Sequence, residues 1–160
     1  MEKVNIICID DQREVLAAVQ KDLVMFEPMA EIIECESSEE AEEVLEDLYA
    51  EEKPVAMIIS DHIMPDENGV EFLARMQKDD RFKKVSSILL TGLATHQDTI
   101  EAINRARISH YIEKPWKAED LQNKIKALLT HFILASGRDY TDYQEFMDQD
   151  VIIQEMRNRV

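Results

Sequence analysis

Five short apolar runs punctuate the chain, and each is followed by a longer stretch of helical periodicity. The runs are VNIICI (Val4 to Ile9), EIIEC (Glu31 to Cys35), VAMIIS (Val55 to Ser60), VSSILL (Val85 to Leu90) and ISHYI (Ile108 to Ile112). Their length and β-branched content predict strands. After the first run, Val15, Val19, Leu23 and Phe26 recur at the spacing of one helix face. The same holds for Val44, Leu45 and Leu48, for Val70, Leu73 and Met76, for Ile100 and Ile103, and for Leu121, Ile125, Leu128 and Phe132. Asp11 with Glu14 and Ser37 with Glu40 have capping-box spacing, which predicts helix starts at both places. A β-α order repeated in this way demands a parallel sheet covered on both faces, because right-handed crossovers lay a helix over each strand pair. Sites in such sheets lie beyond the carboxyl ends of the strands.

At 160 residues the chain has room for one α/β domain and an extension. Asp and Glu outnumber Lys and Arg by 34 to 18, and the formal charge of -16 opposes contact with nucleic-acid backbones or anionic membranes. The start MEKVNIICID has no signal-peptide pattern, and no run approaches the ~20 apolar residues of a membrane span. A cytoplasmic location is the expectation. Cys8 and Cys35 fall in predicted strands and read as buried, reduced thiols, while the four histidines are too scattered for a zinc site.

The ends of the predicted strands carry the chemistry. Asp10 and Asp11 close the first run, Asp61 the third and Thr91 the fourth, and Lys114 follows the fifth. Three carboxylates drawn together repel one another unless a divalent cation neutralises them, and Mg²⁺ (or Mn²⁺) suits such oxygen ligands. Lys114 and the Thr91 hydroxyl are what an incoming phosphoryl group needs, with Asp61 as the carboxylate able to attack phosphorus. Taken singly, "DD" reads as a helix cap and "MPDENG" as a turn. The joint occurrence, one element per strand end, is what points to a site.

From about Lys3 to Leu129 the chain resembles the receiver domain of bacterial two-component response regulators, the CheY-like group. The matching stretches are CIDDQ (Cys8 to Gln12), SDHIMPDENG (Ser60 to Gly69), LLTG (Leu89 to Gly92) and YIEKPW (Tyr111 to Trp116). The resemblance implies a flavodoxin-like, doubly wound (βα)5 sandwich with strand order 2-1-3-4-5. It implies Asp61 as phosphoacceptor from a sensor histidine kinase, a phosphotransfer protein or a small phosphodonor. Asp10, Asp11, Asp61 and the backbone carbonyl of Ile63 would hold the metal, and Thr91 and Lys114 the phosphoryl oxygens. It further implies a cis Lys114–Pro115 bond and a switch through Thr91 and Tyr111 that alters the face of the fourth helix, fifth strand and fifth helix. Such a protein is no enzyme beyond catalysing its own phosphorylation and dephosphorylation.

Residues 1–130 are thus expected to form the receiver, and 131–160 a helical extension or linker. Gly137 marks a helix stop, and Phe146, Ile153 and Val160, with Met156, lie on one stripe at seven-residue spacing. That stripe is expected to bury itself in a homodimer or against the receiver. AINRARISHYIEKPW resembles receivers joined to output enzymes such as cyclic-dinucleotide phosphodiesterases, cyclases or kinases. The chain is therefore either part of a longer regulator controlling an output domain or a free-standing receiver acting on a partner protein. Two alternatives remain: an interaction module that is never phosphorylated, and an aspartate-nucleophile phosphatase of the haloacid-dehalogenase type. The latter needs Asp-x-Asp after the first strand, where this chain has adjacent Asp10 and Asp11. Ile63 and Leu93, two residues after Asp61 and Thr91, are apolar and predict a long-lived phosphoryl group.

Overall fold

The structure, a computed structural model, describes residues 1–93 and 95–159. Five strands, β1 (Val4–Ile9), β2 (Ala30–Cys35), β3 (Val55–Asp61), β4 (Ser86–Thr91) and β5 (His110–Glu113), pair in parallel in the order β2-β1-β3-β4-β5. The helices are α1 (Arg13–Asp22), α2 (Ser38–Ala50), α3 (Gly69–Lys78), α4 (Gln97–Ala106), α5 (Ala118–Ser136) and α6 (Gln149–Asn158). This is the flavodoxin-like order that the resemblance implies.

Every residue of β1 is buried, which is why that strand reads as an unbroken apolar run. Alternate residues serve two cores. Ile6, Cys8 and Ile59 pack with Leu16, Val19, Leu121, Ile125 and Leu129 of α1 and α5, while Ile7, Ile9 and Ile58 pack with Leu45, Phe72, Leu73 and Ile103 of α2, α3 and α4. At the sheet edge, β2 exposes Glu31 and Glu34, charges that discourage pairing with another chain. Cys8 and Cys35 are buried free thiols, and burial pushes the Cys35 thiol up to about 12.

Of the two capping boxes, one forms. Ser37 Oγ accepts from the Glu40 N–H at 3.1 Å, and the Glu40 carboxylate accepts in return from the N–H of Glu36, one residue before the cap, at 2.9 Å. The Asp11–Glu14 box does not: α1 begins after Gln12 with no side-chain cap, and Asp10 Oδ1 takes the Gln12 N–H at 2.8 Å. Asp10 serves the strand end, and neither carboxylate caps the helix.

The C-terminal segment departs from the expected stripe. Gly137, at φ 76°, ends α5 as expected, and α5 runs through residue 136, across the position where the receiver was expected to close. The chain then passes through two 3-10 turns into α6, and Tyr143, Phe146, Met147 and Ile152 join the core beneath α1 and α5. Tyr143 donates its hydroxyl to the Glu2 carbonyl at 2.6 Å, and the Asp148 N–H donates to Thr130 Oγ1 at 2.7 Å. Ile153 and Met156 are 49% and 45% exposed, and Val160 lies outside the described residues. The physical reason is that 140–146 is not α-helical, so a seven-residue period does not carry from Phe146 into α6. Ile152 faces inward instead. Ile152→Ala should therefore cost roughly 2 kcal/mol or more in urea unfolding, and Ile153→Ala less than ~0.5 kcal/mol. Equal losses would mean that α6 presents a different face to α5.

Candidate functional site

The carboxyl edge of the sheet gathers the residues that the sequence singles out. Asp10 lies one residue past β1, Asp61 ends β3, Thr91 ends β4 and Lys114 lies one residue past β5. Parallel pairing brings Asp61 opposite Leu90 and Thr91 opposite Glu113, and the Lys114 N–H donates to the Thr91 carbonyl at 2.9 Å. Backbone register alone thus delivers the four positions to one place.

Asp10 and Asp61 are buried and Asp11 is exposed, and each offers a carboxylate oxygen within 4.8 Å of the others. Lys114 Nζ stands between the two buried carboxylates, 2.6 Å from Asp61 Oδ1 and 3.4 Å from Asp10 Oδ2. Burial pushes the Asp10 carboxyl up, against the pull of the Gln12 N–H; the Asp61 charge adds to the rise and Lys114 opposes it. Lys114 moves the other way from what burial alone would do. Its hydrogen bond to Asp61 and the two acidic charges outweigh desolvation, raising it above the ordinary lysine value and keeping it cationic. Three carboxylates against one ammonium leave the site short of positive charge, and the oxygens are hard donors at a spacing that one small divalent ion can bridge. The residues fit a metal.

Thr91 is buried, and its Oγ1 accepts the Leu93 N–H at 2.9 Å. The Lys114–Pro115 peptide is cis, as the resemblance implies. Tyr111 turns its ring toward solvent at 41% exposure, Ile63 is 61% exposed, and Leu93 is half-buried. No backbone N–H among the described residues donates to the Ile63 carbonyl. The turn after Asp61 closes through Gly69, whose N–H donates to the His62 carbonyl at 2.7 Å, and Asn68 caps α3 by accepting from the Glu71 N–H at 2.8 Å. Glu67 is held away by Arg75, which donates to it at 2.7 and 2.8 Å.

One contact at the site is not legible in the sequence. His62 is buried, and its Nδ1 lies 2.9 Å from Thr91 Oγ1. Burial pushes the imidazole below its ordinary value, with the Asp61 charge pulling the other way. The two residues are 29 positions apart, and only the β3–β4 pairing makes them neighbours.

Acidic side chains gathered at the carboxyl edge of a 2-1-3-4-5 sheet, bridged by a lysine, with a threonine ending the neighbouring strand, have the layout of a signalling receiver. The chain belongs to the response regulator receiver domain family, whose model matches residues 6–126, and so is a module of two-component phosphorelay signalling. It is 31% identical over 99 residues to chemotaxis protein CheY1 of Helicobacter pylori, covering 62% of this chain and 76% of that protein. It is 26% identical over 125 residues to the hydrogenase transcriptional regulatory protein HoxA of Cupriavidus necator, covering 78% of this chain but only 24% of HoxA. Among solved structures, the signal receiver domain of an HD domain-containing protein from Pseudomonas fluorescens Pf-5 superposes with a TM-score of 0.68 at 25% identity, over 81% of this chain and 97% of that one. Receivers of this family are in general signalling modules rather than enzymes; they bind Mg²⁺ in an acidic pocket and work with histidine kinases and output domains. Among the described residues no helix is long and apolar enough to cross a membrane.

Proposed function

We propose that Asp61 accepts a phosphoryl group from a sensor histidine kinase, a phosphotransfer protein or a small phosphodonor. The observation that carries this is the buried Asp61 carboxylate held at 2.6 Å by Lys114, with Asp10 and Asp11 beside it. Asp10, Asp11, Asp61 and the Ile63 carbonyl would hold Mg²⁺ or Mn²⁺, which supplies charge neutralisation for the anionic donor. An Asp61 oxygen attacks phosphorus as the bond from phosphorus to the donor breaks and the donor leaves with its electron pair. Lys114, already on Asp61 Oδ1, then pairs with a phosphoryl oxygen, and the Thr91 hydroxyl donates to another. Movement of Thr91 vacates room for Tyr111, whose exposed ring turns inward and alters the α4-β5-α5 face.

The receiver over residues 1–130 carries this reaction, and 131–160 acts as a brace through α6. Ile153 and Met156, exposed on α6, offer apolar surface for a homodimer contact. Net charge and the likeness to the receiver of an HD domain-containing protein favour an output domain or protein partner over nucleic acid as the target, in a cytoplasmic setting. Intact-mass measurement after incubation with acetyl phosphate and Mg²⁺ tests the reading. A gain of one phosphoryl group that a chelator prevents is expected. No gain would favour a phosphorylation-independent interaction module.

The phosphoryl group should be long-lived. Hydrolysis needs a water held in line with the Asp61–phosphorus bond by a polar side chain. Ile63 and Leu93 carry no such group, Glu67 is occupied by Arg75, and His62 continues the alternation of β3 to the face opposite Asp61. Ile63→Asn or Leu93→Glu should speed dephosphorylation about 10-fold, the low end for one positioned polar group. Wild-type decay as fast as either variant's would show that water enters by another route.

A further inference from the structure

His62 sits where it can govern Thr91. Its N–H donates to the Leu90 carbonyl at 3.0 Å and its carbonyl accepts from Gly69 at 2.7 Å, so its backbone is pinned between β4 and the start of α3. Successive residues of a strand face opposite sides. Ile58 of β3 and Leu89 of β4 belong to the core under α2, α3 and α4, and Ile59 to the other. Continuing those alternations sends His62 and Thr91 to the same face and Asp61 to the opposite one. The hydroxyl of Thr91 is therefore engaged on the side away from Asp61, by His62 Nδ1 and by the Leu93 N–H, each at 2.9 Å.

We propose that His62 is a positioning residue that latches Thr91 in its unphosphorylated place, so that the hydrogen bond between them must break before the switch can turn. The inference rests on the phosphoacceptor reading above. In one imidazole tautomer Nδ1 accepts the very hydroxyl hydrogen that a phosphoryl oxygen would take; in the other, Nδ1–H occupies an Oγ1 lone pair. Either way Thr91 cannot reach Asp61 and keep His62. A buried neutral hydrogen bond of this kind shifts the resting balance toward the latched state by about 5-fold.

The test uses the full chain with Mg²⁺ and beryllofluoride as phosphoryl mimic, followed by amide NMR. The Leu93 amide reports on Thr91 directly, because its N–H donates to Oγ1. His62→Leu removes the polar atom and should bind beryllofluoride about 5-fold more tightly than wild type. Its Leu93 amide, before any beryllofluoride, should already lie shifted toward the bound wild-type position. His62→Asn restores a polar atom near the place of Nδ1 and should return both readings to wild type. Wild type that binds beryllofluoride no more weakly than His62→Leu, or His62→Asn that behaves as His62→Leu does, overturns the latch and leaves the phosphoacceptor reading intact. Wild type that binds no beryllofluoride overturns both.

Discussion

Asp61→Asn should gain no phosphoryl group from acetyl phosphate while remaining folded. The amide keeps the shape and hydrogen-bonding reach of the carboxylate, so the buried end of β3 is filled as before. It has no anionic oxygen to attack phosphorus, however, and it removes one of the three carboxylates that would hold a divalent ion. Stability should change by no more than ~1 kcal/mol, because two effects oppose one another. Lys114 loses the charge of its 2.6 Å partner but keeps Asp10 at 3.4 Å, and Asp10 loses a like charge that helps to raise its carboxyl. Asp10 should accordingly move back toward the ordinary carboxylate value. Intact mass reads the first effect and thermal unfolding the second. Phosphoryl gain by the variant equal to wild type would place the acceptor elsewhere; a large loss of stability would make Asp61 structural.

The parts of this architecture that were legible in the sequence are those fixed by local burial. β1, covered on both faces, can only be an apolar run, and the residue that ends each such run is placed on one edge by parallel pairing. That is why Asp10, Asp61, Thr91 and Lys114 could be brought together on paper. Asp11 and Glu14 misled because capping and metal-site chemistry both use carboxylates at strand-to-helix turns, and spacing does not tell them apart. The α6 stripe misled for a different reason: a period of seven is meaningful only along one continuous helix, and two 3-10 turns break it before α6 begins. His62 follows Asp61 in the chain, and adjacency says nothing of what its ring meets. Its partner is set by β3–β4 register, which no local pattern encodes.

Gly69 shows the same limit, since in the sequence it only closes the MPDENG turn, whereas the structure requires it for close approach. Its backbone is not in the left-handed region; the constraint is space. A Cβ at this position would lie 2.0 Å from the Asp61 carbonyl oxygen, 3.0 Å from the Asp61 carbonyl carbon and 2.9 Å from Leu89 Cδ1. The Leu89 methyl can rotate away, but the Asp61 backbone cannot without moving the end of β3. Gly69→Ala should therefore destabilise the protein by about 3 kcal/mol or more, the upper range for overpacking against backbone. Because the displaced atoms belong to Asp61, the variant should also take up phosphoryl from acetyl phosphate more slowly, even at temperatures where it is folded. Gly92→Ala is the control for stability: a Cβ there meets nothing within 4 Å, and its effect should stay within ~0.5 kcal/mol. Urea unfolding of the two variants separates a crowded glycine from a merely small residue. A Gly69→Ala protein as stable as Gly92→Ala would mean that α3 can slide outward on its turn without dragging Asp61, and that the site is less tightly tied to the helix than its 2.7 Å Gly69–His62 hydrogen bond indicates.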